Sequence, residues 1–176
     1  MSIVVNLFGA PSAGKSTGAA YVFAKLKLLG IDAELSLEFA KEKVWEGDTE
    51  ILNREGYVFK NQEHRLLRLL NKVDVIVTDA PLLLTLAYRQ NKENYSQLDY
   101  YINKVFNCYD NLNFLINRVK KYNPNGRLQT ELESNKKRND IIEVLNHYNV
   151  NYEECDGCES GYDRIVASVI NKIDNK

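Results

Sequence analysis

The stretch Gly9-Ala-Pro-Ser-Ala-Gly-Lys-Ser-Thr17 follows directly on the apolar run Ile3-Val-Val-Asn-Leu-Phe8. The β-branched residues of this run predict a buried parallel strand. The apolar positions between Ser16 and Leu29 have the spacing of a helix. Between strand and helix, the spacing Gly-x4-Gly-Lys-Ser is the complete phosphate-binding loop pattern. The stretch therefore predicts a P-loop fold and raises the question of what happens to the bound phosphate.

Each residue type in this loop has a physical reason to be there. Glycines let successive backbone N–H groups curve around an anion, and the following helix directs its positive end to the same place. Lys15 is predicted to lie along the β- and γ-phosphates, and the Ser16 hydroxyl to bind a bridging Mg²⁺. The residues expected to bind the nucleotide are Gly9, Ala10, Pro11, Ser12, Ala13, Gly14, Lys15, Ser16 and Thr17. ATP and Mg²⁺ are the expected cofactors.

The rest of the chain alternates strand-like and helix-like segments. Further strands are predicted at 33–37, 73–77, 112–116 and 150–152, and further helices at 38–45, 57–70, 82–90, 97–107, 139–147 and 163–173. This alternation predicts an α/β P-loop NTPase fold of the nucleoside- or nucleotide-kinase type, with a five-stranded parallel sheet sandwiched by helices. We expect one domain over residues 1–176, with the phosphate loop at 9–17 and a basic, mobile lid loop at about 118–138.

The composition is typical of a water-soluble globular protein. A formal net charge of -1 gives no overall field that would hold nucleic acid. No apolar run approaches the roughly 18 residues that span a membrane. The three cysteines, an odd number, suit a reducing compartment. We therefore expect a cytoplasmic protein with a small-molecule partner and no membrane contact; nucleic acid is the less favoured partner.

Two carboxylates are predicted where strands end. Val75-Ile-Val-Thr-Asp79 places Asp79 at the exit of a parallel strand, where it can bind Mg²⁺ directly or through water. A helix N-cap role for Asp79 is compatible with this. Glu38 follows the second strand and is expected at the same edge, where it would orient or deprotonate an acceptor hydroxyl. An exposed acid in the first turn of a helix is the equal alternative for Glu38.

A basic segment follows the fourth strand. It contains Arg118, and Arg127 comes just after the turn signal Asn123-Pro-Asn-Gly126. A lid of this composition can bring arginines to the γ-phosphate and expel water, so Arg118 and Arg127 are candidate catalytic residues, with Arg138 a further possibility. The alternative is a solvated, charged surface loop.

Several other nucleotide-dependent or cysteine-based functions are disfavoured. Asn71-Lys-Val-Asp74 and Asn171-Lys-Ile-Asp174 match the guanine-reading pattern of GTPases, but both are misplaced along the chain, and no Asp-x-x-Gly switch element occurs. Asp79 is followed by Ala-Pro rather than by a second carboxylate that would activate water, so transfer to an acceptor is favoured over hydrolysis. Cys155-Asp-Gly-Cys158 lacks a second pair of zinc ligands and is interpreted as part of a loop beside the nucleotide.

Together these segments resemble the P-loop small-molecule kinases and, more closely, the nicotinamide riboside kinase domain with its AAA-like ATP-binding relatives. The stretches that carry the resemblance are GAPSAGKST, Leu37-Glu-Phe-Ala-Lys-Glu42, Val77-Thr-Asp-Ala80, Leu84-Thr-Leu-Ala87, Asn125-Gly-Arg127, Val150-Asn-Tyr-Glu153 and Gly161-Tyr-Asp-Arg164. The resemblance implies that Glu38 faces the acceptor ribose and that Arg127 belongs to the lid. The chain departs from the family in having Lys41 where an arginine is usual. Frequent Asn, Lys, Ile and Tyr are typical of A/T-rich genomes, including those of phages.

The sequence therefore predicts an ATP-dependent kinase, a phosphotransferase that moves the γ-phosphate to a hydroxyl of a nucleoside, nucleotide or related small metabolite. Two alternatives remain open. One is a kinase that acts on a modified nucleotide within DNA or RNA. The other is an ATP-gated regulatory protein with little turnover.

Overall fold

The structure is a computed structural model that describes residues 1–89, 97–125 and 128–175. Its centre is a sheet of five parallel strands in the order β2-β3-β1-β4-β5. The strands are β1 (Ile3–Phe8), β2 (Ala33–Ser36), β3 (Val75–Thr78), β4 (Asp110–Asn117) and β5 (Glu153–Asp156). The predicted α/β fold with a five-stranded parallel sheet is thereby confirmed.

Helices cover both faces of this sheet. They are α1 (Lys15–Leu28), α2 (Phe39–Glu46), α3 (Glu55–Leu67), α4 (Leu84–Ala87), α5 (Gln97–Phe106), α6 (Glu131–His147) and α7 (Glu159–Asp174), and a 3₁₀ turn covers Glu50–Asn53. Val5 of β1 belongs to a core cluster with residues of α1 and α7, whereas its neighbour Val4 belongs to a second cluster with residues of α3, α5 and α6. Because both faces of β1 are buried, its sequence is almost continuously apolar.

The parallel register brings the carboxyl ends of three strands to one edge of the sheet. β1 lies directly beside β3, with Asn6 opposite Thr78, and β2 lies on the other side of β3, with Ser36 opposite Thr78. The phosphate loop follows β1, Glu38 follows β2, and Asp79 follows β3. Three distant parts of the chain therefore meet where ligands bind in open α/β sheets.

The predicted lid loop at about 118–138 is shorter in the structure, because α6 begins at Glu131. The Thr130 hydroxyl accepts a hydrogen bond from the Glu133 backbone N–H at 3.3 Å, and the Glu133 carboxylate accepts one from the Thr130 N–H at 2.7 Å. This reciprocal pair is a capping box, which fixes the start of a helix. The extension of the predicted loop to residue 138 is therefore wrong.

The last strand also differs from the prediction, since it lies at Glu153–Asp156 and not at 150–152. Only Cys155 is buried in it, so this edge strand has no apolar pattern that a sequence reading can detect. Val150 and Tyr152, which suggested a strand, pack against the second core cluster on the approach to β5. Among the helices, α4 is shorter than the predicted 82–90, and α7 begins four residues before the predicted 163.

Candidate active site

The phosphate loop, residues 9–17, connects β1 to α1 through a strained turn. Ser12 has a φ of 66° and Gly14 a φ of 105°, both in the left-handed region. Glycine adopts this region without steric cost, whereas serine adopts it only where surrounding contacts hold it. In the described residues, no side chain caps the N-terminus of α1 at Gly14. The first N–H groups of α1 therefore have the arrangement that binds an anion.

The Lys15 side chain folds back over this loop. Its ammonium group donates to the carbonyl oxygens of Gly9 at 2.8 Å and Ala10 at 3.3 Å, and the residue is 9% exposed. These contacts hold a positive charge at the loop itself. A contact of this ammonium group with the β- and γ-phosphates remains a prediction.

The segment that begins with β5 supports the phosphate loop. The Tyr162 hydroxyl of α7 donates to the Gly14 carbonyl at 2.9 Å, and a methyl group at Gly18 would lie 2.6 Å from the Tyr162 ring. A Cβ atom at Gly157 would lie 2.2 Å from the Ala13 carbonyl oxygen. No sequence pattern indicates this role for Tyr162, because its contact with Gly14 joins residues from opposite ends of the chain.

Segments after β4 also contact the phosphate loop. The Asn123 backbone N–H donates to the Ser12 hydroxyl at 3.0 Å, and the buried Ser134 hydroxyl of α6 donates to the Pro11 carbonyl at 2.7 Å. These two bonds come from the region predicted as a lid. In the described residues, that region is thus attached to the phosphate loop at both Pro11 and Ser12.

The predicted arginines have different surroundings. Arg118 donates to Asn135 at 2.5 Å and forms an ion pair with Glu131 at 3.2 Å, so it is bound to α6. Arg138 donates to Asn117 at 2.9 Å and to Glu154 at 3.0 Å, which ties α6 to β4 and β5. Arg127 lies outside the described residues. The structure therefore does not bring Arg118 or Arg138 into the cavity beside the phosphate loop.

That cavity has a volume of about 510 Å³ and extends from the phosphate loop to α2, α3 and α4. Its wall is partly apolar, from Val44, Leu52, Val58 and Leu84, and partly polar, from Glu38, Lys41, Gln62 and Thr85. The mixture of apolar surface with a few polar groups is typical of small-molecule sites.

The two predicted carboxylates occupy different positions at this edge. Glu38 is the half-buried N-cap residue of α2 and lines the cavity. Asp79 is 1% exposed, and its buried Oδ1 atom has no hydrogen-bond partner among residues 1–89, 97–125 and 128–175. A buried carboxylate oxygen without a partner is costly, and a cation or its bound water would satisfy it. The Asp79 carboxylate and the Ser16 hydroxyl are the oxygen ligands that Mg²⁺ prefers, so these residues fit the metal.

A buried glutamine fixes the start of α2, and no role is predicted for it from the sequence alone. Gln62, 4% exposed, accepts from the Phe39 backbone N–H at 3.0 Å and donates to the Leu37 carbonyl at 3.3 Å. The sequence does contain an indication of this role, because Gln62 is a polar residue on the apolar face of α3, between Phe59 and Leu66.

Two other acidic side chains close to Glu38 in the sequence, Glu34 and Glu42, point to the surface or pair with a basic residue. Glu34 is exposed on β2. Glu42 forms an ion pair with Arg65, and this hydrogen-bonded guanidinium holds the pKa of Glu42 below its usual value. Glu38 is thus the acid of this group that lines the cavity.

The cysteines show no metal site. Among residues 1–89, 97–125 and 128–175, no three His, Cys, Asp or Glu side chains are grouped for a metal ion. Burial raises the pKa of the Cys155 thiol, whereas a hydrogen bond with Ser160 lowers that of Cys158. Cys155 and Asp156 belong to β5, and Gly157 after them lies close to the Ala13 carbonyl of the phosphate loop. A place beside the nucleotide remains a prediction for the rest of this motif.

Comparison with protein families connects this geometry to a known class. The family model of the AAA domain matches residues 4–158, from β1 through the end of β5. The chain belongs to the AAA domain family. AAA domains of the P-loop type generally bind a nucleotide with Mg²⁺, in agreement with the site described above. A comparison with curated proteins gave no match.

The AAA match confirms the AAA-like part of the resemblance seen in the sequence, and it leaves nicotinamide riboside as a prediction. It supports an enzyme of the nucleotide-hydrolysing or kinase type. No helix in the described ranges has both the length and the apolar character needed to cross a bilayer.

Proposed function

We propose that this AAA domain is an ATP-dependent kinase that transfers the γ-phosphate to a hydroxyl of a nucleoside, nucleotide or related small metabolite. The observation that carries the proposal is the cavity of about 510 Å³ that continues from the phosphate loop between α2, α3 and α4. Hydrolysis needs only water beside the phosphate, whereas apolar side chains such as Val44 and Leu84 in the wall favour an organic acceptor.

The residues have separate roles in this proposal. Lys15 and the N–H groups of the phosphate loop hold the triphosphate, and Ser16 and Asp79 hold Mg²⁺. Bound Mg²⁺ supplies charge neutralisation at the phosphates. Glu38, which lines the cavity, orients the acceptor hydroxyl and takes its proton. The acceptor oxygen forms a bond to phosphorus, the bond to the β–γ bridging oxygen breaks, and ADP leaves.

The test is γ-phosphate transfer from Mg²⁺-ATP to a panel of acceptors. The panel contains nicotinamide riboside, ribo- and deoxynucleosides, their monophosphates, and DNA bearing hydroxymethylated pyrimidines. We expect one class of small acceptor to be labelled, and the Lys15→Ala variant to label none. Labelling of DNA alone would replace the proposal with a nucleic-acid kinase, and ATP binding without any transfer would favour a regulator.

A second comparison tests Glu38 as the base. We expect Glu38→Gln to lower kcat by at least about 100-fold, because general base catalysis contributes roughly that much. Glu34→Gln is the matched control, since Glu34 lies on β2, is exposed and does not line the cavity. Equal rates for the two variants would remove Glu38 from the mechanism.

A further inference from the structure

Lys41 contributes a second ammonium group at the phosphate end of the cavity. Its Nζ atom lies 3.4 Å from the Ser16 Oγ atom, within hydrogen-bond distance, although Lys41 belongs to α2 and Ser16 to α1. The contact crosses from the end of β2 to the loop that follows β1, with β3 between them. Among the described residues that line the cavity, the basic side chains are those of Lys15 and Lys41.

The backbone that carries Lys41 is fixed on two sides. The first residue of α2, Phe39, donates its N–H to the buried Gln62 of α3 at 3.0 Å. One residue beyond Lys41, Glu42 forms an ion pair with Arg65, also of α3. The direction of the lysine stem therefore depends on the packing of α2 against α3 and not on a mobile surface.

We propose that Lys41 is a second phosphate-contacting residue, whose ammonium group binds the terminal phosphate of the bound nucleoside triphosphate. This inference rests on the nucleotide site of the proposed function. Ser16 is the residue expected to hold Mg²⁺, and a metal cation and an ammonium group repel each other at one oxygen atom. The flexible four-carbon stem lets the ammonium group move from Ser16 to the adjacent phosphate oxygens. The terminal phosphate would then meet Lys15 from the phosphate loop and Lys41 from the acceptor side of the cavity.

The experiment compares the affinities for two nucleotides that differ in the terminal phosphate. Binding of ADP and of a non-hydrolysable ATP analogue, both with Mg²⁺, is measured by calorimetry for the wild type, Lys41→Met and Lys41→Arg. We expect Lys41→Met to weaken binding of the ATP analogue about tenfold and to leave ADP within about twofold, since a hydrogen bond to a charged group has this magnitude. Lys41→Arg keeps the charge and is expected to retain most of the preference for the analogue.

Lys43→Met is the matched control, because Lys43 lies on the same helix, pairs with Glu46 and does not line the cavity. Equal weakening of both nucleotides by Lys41→Met, or of neither, would overturn the inference. So would the same tenfold loss in Lys43→Met. The measurement uses no acceptor, so its result is independent of whether any acceptor is phosphorylated. If the wild type bound neither nucleotide, both the inference and the proposed function would fall.

Discussion

Tyr109 and Tyr162 are both buried, but their hydroxyl groups have opposite surroundings. The Tyr109 hydroxyl has no hydrogen-bond partner within the described residues, whereas the Tyr162 hydroxyl donates to Gly14 at 2.9 Å. A buried polar group without a partner costs free energy, while a satisfied one contributes modestly to stability. The same substitution, Tyr to Phe, should therefore have opposite effects at the two positions.

We predict that Tyr109→Phe leaves the free energy of unfolding unchanged or raises it by up to about 1 kcal/mol, and that Tyr162→Phe lowers it by about 1 kcal/mol. Urea unfolding at neutral pH measures both variants. A clear loss of stability in Tyr109→Phe would mean that its hydroxyl has a partner, such as a bound water.

The wild type and Tyr109→Phe should also differ in how their stability changes with pH. Burial raises the pKa of Tyr109 to about 12 from the ordinary value of 10.0. The unfolded chain therefore loses this proton first, and the stability from Tyr109, complete below pH 10, falls as pH rises toward 12. Between pH 9 and pH 11 the wild type should lose about 1 kcal/mol more than Tyr109→Phe. Parallel pH profiles would contradict this assignment.

At the level of elements, the loop after β5 limits the shape of the phosphate loop. Gly157 donates its N–H to the Asn117 carbonyl at 2.8 Å, and a Cβ atom there would lie 2.2 Å from the Ala13 carbonyl oxygen. Both contacts are with backbone, which cannot move as freely as the end of a side chain. The position is therefore restricted to glycine by close packing.

We predict that Gly157→Ala moves the phosphate loop, weakens Mg²⁺-ATP binding, and lowers the free energy of unfolding by about 2 kcal/mol, as expected for overpacking. Gly56→Ala is the matched control, because Gly56 lies in α3 and a Cβ atom there would meet, among the described residues, only Leu98, at 3.8 Å. That change should stabilise the helix by about 0.5–1 kcal/mol. Calorimetry and urea unfolding measure both effects, and unchanged ATP affinity in Gly157→Ala would show that the loops are not coupled.

The elements also show which structural features a sequence can predict. β1 and α1 are predictable because an apolar run and a helical period flank an unambiguous motif. β5 is not, because an edge strand with one buried residue has no apolar period. Thr130 and Glu133 have the spacing of a capping box, which could have predicted the start of α6. The basic composition of the segment favoured the prediction of a loop there instead. In the site, the motif predicts the positions of Lys15 and Ser16, and the order of the strands predicts that of Glu38. The contact of Lys41 with Ser16 depends on how α2 packs, which the sequence does not show.

At the scale of the whole molecule, nucleotide binding and stability are linked. The site joins residues that follow β1, β2 and β3, so an unfolded chain cannot form it. A ligand that binds only the folded state adds about 2.7 kcal/mol to the free energy of unfolding when its free concentration is 100 times its Kd. For a chain of 176 residues, we expect Mg²⁺-ATP at that excess to raise Tm by about 5–10 °C.

Asp79 makes this linkage a trade between stability and function. Its buried Oδ1 atom has no hydrogen-bond partner in the part of the chain that the structure describes. Replacing this charged group with a neutral amide in Asp79→Asn should therefore raise the stability of the nucleotide-free protein by about 1 kcal/mol. An amide is a weaker Mg²⁺ ligand than a carboxylate. With ATP bound, the Tm of the wild type should be higher when Mg²⁺ is present, and Asp79→Asn should lose most of this difference. Thermal unfolding with ATP, in the presence of either Mg²⁺ or EDTA, measures both quantities. Asp74→Asn, exposed just before β3, is the control. If Asp79→Asn were less stable without nucleotide and kept the full Mg²⁺ effect, Asp79 would be a structural residue of the β3 exit and not part of the metal site.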